Sequence, residues 1–323
     1  MAASRWILLL ALLAGALVAG VMFGTLHLSA SEVMAGLLGR GSSTSVAVVR
    51  QLRLPRVLLA ALVGAGLGAA GAALQGATRN PLAEPYLLGV SGGAAVGAVT
   101  AVALRLPAIF VPVGGFAGAL AAVALTLIVA RGAGGRSDAR VVLMAGVVVG
   151  AFANAAIMVA LANSDANIVR GALWWMMGSV AEASWPQVAM LAAYVTVGVG
   201  ALVVTGRAID VLALGEDTAA GLGVDVGRMA LAVYVAAALL AAGTVAAAGL
   251  VGFVGLLVPH LVRIGGAQSH RSLIAGSSLT GAVLVVLADV FARVALPPAE
   301  LPLGAVTALL GVPFFFLRLR RLA

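Results

Sequence analysis

The chain alternates long apolar runs with short polar or charged connections. Nine stretches without Asp, Glu, Lys or Arg are about as long as a membrane-crossing helix, since roughly 20 helical residues cover ~30 Å of hydrocarbon. They are residues 6–28, 57–78, 86–104, 106–130, 141–164, 183–206, 229–262, 272–288 and 301–317. Because backbone polar groups in lipid must find partners within the protein, each run predicts a helix rather than an open strand. The pattern therefore predicts an all-α integral membrane protein.

The run at residues 229–262 decides how many spans there are. It is too long for one straight span and short for two, and its glycines and Pro259 can interrupt a helix. Cytoplasmic loops of membrane proteins carry an excess of arginine and lysine. If the run crosses twice and the N-terminus is cytoplasmic, 12 of the 19 arginines lie inside, and if it crosses once, 8 do. The arginines therefore favour ten spans with both termini in the cytoplasm.

Composition supports a membrane protein and excludes several other classes. The chain is 63% hydrophobic and 9% charged, whereas about a quarter of the residues of a soluble domain are charged. The net charge of +8 is typical of arginine-rich cytoplasmic loops, so a nucleic-acid partner is not expected. The chain has no cysteine, which excludes disulfides and thiolate metal sites. The first run, after Arg5, is long for a signal peptide and is interpreted as a retained span.

Pairs of glycines four residues apart recur within the runs. They are Gly64 with Gly68, Gly93 with Gly97, Gly114 with Gly118, and Gly146 with Gly150. Such pairs let helix backbones approach closely in a membrane, although 42 glycines also produce pairs by chance. We interpret them as packing positions rather than as a site.

A basic segment, residues 50–56 (RQLRLPR), precedes the second run. Pro55 suits the first turn of a helix. In the ten-span topology this cluster faces outward, against the usual charge distribution, which favours contact with an acidic partner. A connection that faces water or lipid phosphate is the alternative.

Three further segments interrupt the apolar pattern. Residues 78–93 contain an Asn-Pro step and predict a fixed turn between two spans. Residues 210–228 are mildly amphipathic and contain glycines that would divide them into two short helices. Such helices could dock a soluble partner, and an ordinary loop is the alternative. Residues 249–260 end in His260, interpreted as a structural hydrogen-bonding residue because no second metal ligand lies at helical spacing.

Several mechanisms lack the residues they need. The chain has no lysine, so it cannot supply a Walker A loop, and a second subunit would have to bind ATP. No pattern typical of an intramembrane enzyme is found in the sequence. An ion-driven secondary transporter would need carboxylates within the membrane, where Glu84 and Asp289 are the candidates, both near helix ends. Pairing of Asp289 with Arg293 is the simpler interpretation.

Together these segments resemble the permease subunits of type II ATP-binding cassette (ABC) importers, the FecCD/BtuC-like family. The resemblance runs from about Gln51 to Pro313. It rests on residues 51–56 (QLRLPR), 80–85 (NPLAEP), 214–216 (LGE), 252–256 (GFVGL), 259–260 (PH) and 296–302 (LPPAELP). Each stretch alone is weakly specific, and their combination in this order is highly specific.

The resemblance implies one permease domain, residues 1–323, with ten helices, working as a homodimer in lipid of the bacterial inner membrane. Two partner ATPases would bind ATP and magnesium, and this subunit would hold no cofactor or metal. The coupling loop, at about residues 210–226, would contact the ATPases. The residues carried over for coupling are Leu214, Gly215, Glu216, Asp217, Ala220 and Leu222.

The resemblance also assigns roles at the two ends of the pore. Arg53, Arg56 and Arg293 would dock a periplasmic substrate-binding protein, since arginine pairs bidentately with carboxylates. Asn80 and Leu82 would help to close the cytoplasmic end. Residues 171–184, with two tryptophans and two methionines, would form a short helix at the outer mouth.

The substrate is expected to be an iron chelate or a similar large chelate. Haem is the favoured expectation, followed by a ferric siderophore and then cobalamin. The stretch at residues 175–178 (WMMG) does not separate these substrates, because cobalamin permeases are similar there.

Overall fold

The computed structural model describes residues 1–134, 138–223 and 225–319. Besides the α-helices, the chain forms a π-helix, Val48–Arg53, and a 3-10 helix, Pro85–Leu88. The α-helices are α1 (Ala3–Met22), α2 (Ala30–Leu38), α3 (Ser43–Ala47), α4 (Leu54–Thr78), α5 (Val90–Ala103), α6 (Phe110–Gly132), α7 (Ala139–Ala162), α8 (Ala166–Met176), α9 (Trp185–Ala213), α10 (Glu216–Gly221), α11 (Val226–Ala248), α12 (Val254–Ile264), α13 (His270–Val294) and α14 (Leu303–Leu319).

The predicted all-α membrane fold is confirmed. Within the described residues, seven helices are long and apolar enough to cross a bilayer, and three shorter apolar helices accompany them: Val90–Ala103, Val254–Ile264 and Leu303–Phe314. The number of ten crossings stays a prediction, because length and composition do not show whether the short helices cross. The run at residues 229–262 is divided at Gly249–Phe253, between α11 and α12.

The basic segment at residues 50–56 is helical. α3, the π-helix and α4 make one continuous helical stretch, Ser43–Thr78, and Pro55 lies in the first turn of α4. The alternative interpretation of these residues, a connection that faces water or lipid phosphate, is therefore wrong, and the helix start indicated by Pro55 is confirmed. The sequence signal was ambiguous, because three arginines end the apolar run while the helical backbone continues through them.

α4 lies at the centre of the helix bundle. Of the most apolar 18-residue window in Ser43–Thr78, 78% is buried, against 17% in α1. α4 packs against α9, α11, α12 and α13, while α5, α6 and α7 pack against one another. This central position follows from its composition, since glycine and alanine let several helix backbones approach it at once.

Most of the predicted glycine pairs lie at close backbone contacts. A Cβ at Gly64 would lie 2.0 Å from the carbonyl oxygen of Gly281 in α13, and one at Gly97 would lie 1.9 Å from that of Gly114. Gly150 is the exception, because a Cβ there would meet nothing within 4 Å. The packing interpretation is thus confirmed where two backbones touch.

Candidate functional site

Arg53 and Arg293 cap the end of α1. Arg53 Nη1 donates to the carbonyls of Val21 and Met22 at 2.8 Å each, and Nη2 donates to Leu26. Arg293 donates to the carbonyls of Gly20 and Phe23, each at 3.1 Å. The last carbonyls of a helix have no partner within it, and cations at that end are favoured by the helix dipole. The two guanidinium groups therefore hold the end of α1 against α4 and α13.

Arg56 lies between two carboxylates. It contacts Asp289 through Nε at 3.0 Å and Nη2 at 2.9 Å, and it makes a bidentate pair with Glu300 at 3.0 and 2.8 Å. Asp289 also pairs with Arg293 at 3.1 Å, which confirms the simpler interpretation of that carboxylate. Glu300 was missed in the sequence, because nothing local links it to an arginine 244 positions away.

The three predicted docking arginines are brought together, but not on an open surface. Arg53 and Arg293 are 4% and 3% exposed, and their guanidinium groups point into the protein. The carbonyls of α1 already occupy the donors of Arg53, and the side of the membrane that the cluster faces stays a prediction. The docking role itself stays a prediction, and Arg56 is the arginine of the three that lines a cavity.

This cavity has a volume of about 630 Å³, within the roughly 300–1,000 Å³ range of ligand pockets. Its polar lining includes Arg56, Glu182, Gln187, Asp289 and Glu300, and its aromatic lining comes from Trp174 and Trp175. The tryptophans lie at the end of α8. The short helix expected at residues 171–184 is formed only in part, because α8 begins earlier, at Ala166, and ends at Met176. An apolar wall with a few charged groups suits a large ligand that must pass without being held tightly.

The predicted gate residues lie in the connection between α4 and α5. α4 ends at Thr78 and is followed by the C-cap residue Arg79, whose backbone is left-handed with φ of 51°. Asn80 then accepts a hydrogen bond from the backbone N of Leu82 through its side chain, at 2.9 Å, and its carbonyl accepts from Ala83 at 3.1 Å. These bonds form the fixed turn that the Asn-Pro step predicts. Leu82 is 48% exposed.

Two side chains fasten this connection to the break between α11 and α12. Glu84 accepts a hydrogen bond from the backbone N of Phe253 at 3.0 Å, and so caps α12 from another element. The Tyr86 hydroxyl donates to the carbonyl of Val251 at 3.2 Å and accepts from its N–H at 3.1 Å. The family resemblance covers both segments, but their contact was not predicted.

A buried amide joins α4 to α12 close by. Gln75 donates to the carbonyls of Gly255 and Leu256 at 3.2 and 3.3 Å. It also accepts from Arg263 at 2.8 Å. The last turn of α4, the gate connection and α12 are therefore tied together by hydrogen bonds. Small shifts of one would be passed to the others.

The predicted coupling residues lie on or beside α10. Leu214 precedes it, and Gly215 takes a φ of 115° that favours glycine. Leu214 and Leu222 are each 63% exposed, and Asp217 and Ala220 are exposed as well. The side chain of Glu216 lies outside the described residues.

The expected pair of short helices is wrong for the described part of this segment. α9 continues to Ala213, α10 is one short helix, and Asp225 already caps α11 by accepting from Arg228 N at 3.0 Å. The glycines lie at or beside the turns, as predicted. The other residues at the two ends of this segment belong to the long helices α9 and α11 instead of forming a second short helix.

The arginine cluster and α10 lie at opposite ends of the bundle. α9 begins at Trp185, whose indole donates to the carbonyl of Arg50 at 3.0 Å, beside the arginines. Its other end, Ala213, leads directly into α10. A helix of 29 residues, at about 1.5 Å per residue, separates the two by roughly 43 Å. α4 also starts at the arginines, and the gate connection follows its other end. The gate connection therefore lies at the α10 end of the bundle.

The sequence model of the FecCD transport family matches residues 9–321. This chain belongs to the FecCD transport family. The resemblance stated from the sequence is therefore confirmed, and the chain is a multi-pass permease subunit of an ABC importer. Members of the family form importer complexes with ATPase and substrate-binding partners, and their permeases transport rather than catalyse.

Curated relatives match along almost the whole chain. The uncharacterized ABC transporter permease protein YvrB of Bacillus subtilis is 37% identical, covering 96% of this chain and 91% of that protein. The vitamin B12 import system permease protein BtuC of Vibrio cholerae is 40% identical, covering 92% and 89%. The Fe(3+)-citrate import system permease protein YfmE of Bacillus subtilis is 34% identical, covering 94% and 90%.

A solved structure shows the same fold. It is described as an inward-facing conformation of a metal-chelate type ABC transporter, and it is 28% identical to this chain. The TM-score is 0.89, with 98% of this chain and 99% of that chain covered. The likeness therefore includes both the arginine end and the α10 end.

Proposed function

We propose that this chain forms a homodimeric pore that passes a large metal chelate from the periplasm to the cytoplasm. The observation that carries the proposal is the full-length match to a metal-chelate type transporter. The pore would lie in a bacterial inner membrane with both termini cytoplasmic. This subunit would hold no cofactor of its own.

ATP and magnesium would be bound by two partner ATPases docked at α10. The exposed leucines beside α10, Leu214 and Leu222, support this contact, since apolar side chains in a short exposed helix suit insertion into a groove. The absence of lysine supports it too, because this chain cannot build a Walker A loop.

The substrate-binding protein would dock at the opposite end, near the arginine cluster. Arg56 would make the direct contact, exchanging part of its pairing with Glu300 for a carboxylate of the partner. Arg53 and Arg293 would act by holding the end of α1 in place. This division follows from their burial, since only Arg56 reaches the cavity.

For the substrate, a corrinoid of the cobalamin type ranks first. Relatives named for vitamin B12 import are 39–40% identical to this chain, and the relative named for ferric citrate import is 34% identical. None of the relatives described above is named for the import of haem, the substrate favoured from the sequence. A ferric chelate ranks second.

Uptake into proteoliposomes tests the function and the substrate together. The vesicles contain this chain with its ATPase and its binding protein, and they receive labelled cobalamin, a ferric siderophore or haem, with and without ATP. We expect ATP-dependent accumulation of cobalamin. Accumulation of another chelate would overturn the substrate, and accumulation without ATP would favour a secondary transporter instead.

The homodimer has its own test, because the chain has no cysteine. A cysteine replacing Leu82 is expected to form disulfide-linked dimers, since the gate connections of two copies would meet at the two-fold axis. Leu104→Cys is the matched control, an exposed leucine in the connection at the other end of α5. Equal cross-linking of both variants, or of neither, would argue against the proposed axis.

A further inference from the structure

Asp210 and His270 join the end of α9 to the start of α13. One carboxylate oxygen of Asp210 lies 2.8 Å from the backbone N of His270 and 2.6 Å from its ring Nδ1. The first N–H groups of a helix have no partner within it, and a carboxylate there is favoured by the helix dipole. Asp210 therefore caps α13 from α9 and holds the His270 ring at the same time.

The helices around this pair are closely packed at two glycines. A Cβ at Gly206 in α9 would lie 2.9 Å from the backbone N of Arg271. A Cβ at Gly76 in α4 would lie 2.4 Å from His270 Nε2 and 2.5 Å from Ile209 Cγ2. α4, α9 and α13 thus meet in one tight junction. Protein interiors pack densely, so a displacement of α9 here would be passed on rather than absorbed.

The junction lies close in sequence both to the segment that carries α10 and to the gate connection. Asp210 lies four residues before Leu214, where the segment carrying α10 begins. Gly76 lies four residues before Asn80, where the gate connection begins. The short stretches between them are helical or hydrogen-bonded turn.

We propose that Asp210 and His270 are positioning residues that transmit movement of α10 to α13 and α4, and through α4 to the gate connection. The pair does this as a two-point attachment. The backbone bond fixes where α13 starts, and the ring bond fixes its rotation relative to α9. The inference rests on the proposed function, because it assumes that α10 contacts an ATPase.

The test measures substrate taken up per ATP hydrolysed in the reconstituted complex. Asp210→Ala removes both contacts, and His270→Ala removes only the ring contact. We expect each to lower the uptake per ATP roughly fivefold or more, the size typical of a coupling between sites. The double variant is expected to lower it no further, because the two residues act as one unit.

Two further variants separate transmission from simple stabilisation. His270→Asn is expected to restore most of the ratio, since its amide can donate to Asp210 much as Nδ1–H does. Ser269→Ala is the matched control, because Ser269 is the N-cap residue of the same helix and its side chain accepts a hydrogen bond from Ser272 N. Ser269→Ala is expected to lower thermal stability while leaving the uptake per ATP unchanged.

The outcomes distinguish this inference from the proposed function. If the unaltered complex shows no ATP-dependent uptake, the proposed function fails and the inference fails with it. If the unaltered complex transports normally and the ratio is unchanged in Asp210→Ala and His270→Ala, the transmission role alone is overturned. If Asp210→Ala does not fold, His270→Ala decides the question, because it keeps the cap on α13.

Discussion

The contact between α4 and α13 makes a sharp prediction about packing. The perturbation is Gly64→Ala, which places a methyl group 2.0 Å from the carbonyl oxygen of Gly281. An ordinary contact between a carbon and a carbonyl oxygen is about 3.3 Å or longer. The two backbones would therefore have to separate by roughly 1.3 Å at this point. No side chain can rotate away, because both contact atoms belong to the backbone.

The expected loss of stability follows from two opposing terms. Extra methyl groups in a well-packed core cost about 1–3 kcal/mol, whereas alanine is favoured over glycine inside a helix by about 0.5–1 kcal/mol. Gly200→Ala is the matched control, since it lies inside α9 and a Cβ there meets nothing within 4 Å. The helix preference is common to both variants. Their difference, about 1–3 kcal/mol, therefore isolates the clash.

Reversible unfolding in detergent micelles, followed by tryptophan fluorescence, measures both variants against the unaltered chain. Gly64→Ala should unfold at lower denaturant than Gly200→Ala. Gly281→Ala should behave like Gly64→Ala, because its Cβ would lie 2.1 Å from the Gly64 carbonyl oxygen. Equal midpoints for Gly64→Ala and Gly200→Ala would refute the backbone contact between α4 and α13.

Three further predictions concern charges and hydrogen bonds. Asp289→Asn should destabilise the fold by about 3–5 kcal/mol, because it leaves the buried Arg293 without its carboxylate partner, while Arg56 keeps Glu300. Asp165→Asn, in an exposed pair, should change unfolding by less than about 1 kcal/mol. Tyr86→Phe should cost about 1–3 kcal/mol in the same assay, by leaving a backbone N–H unpaired, and an unchanged midpoint would argue that water replaces the hydroxyl. Changing Glu216 and Asp217 together to lysine should leave ATPase activity while abolishing uptake, and normal uptake would remove α10 from the coupling role.

Hydropathy was enough to predict the long apolar helices and the class of protein, whereas the number of crossings read from the arginines stays a prediction. Each apolar run became a helix, because the need to satisfy backbone groups in lipid is met within a single segment. The glycines and Pro259 also indicated that the run at residues 229–262 could be interrupted, because these residues can break a helix. The family assignment also came from the sequence, since the combination of short stretches in this order was specific, and the family model matches residues 9–321.

The partners of the polar side chains could be decided only by the tertiary structure. The sequence suggested a docking role for Arg53 and did not show that this side chain caps α1 across 32 positions. Glu300 and Asp210 gave no local signal, although one pairs with Arg56 and the other holds His270. A long side chain in a membrane protein satisfies its charge on whichever distant element packs beside it. That neighbour is set by how the helices pack in three dimensions, which the local pattern of residues does not contain.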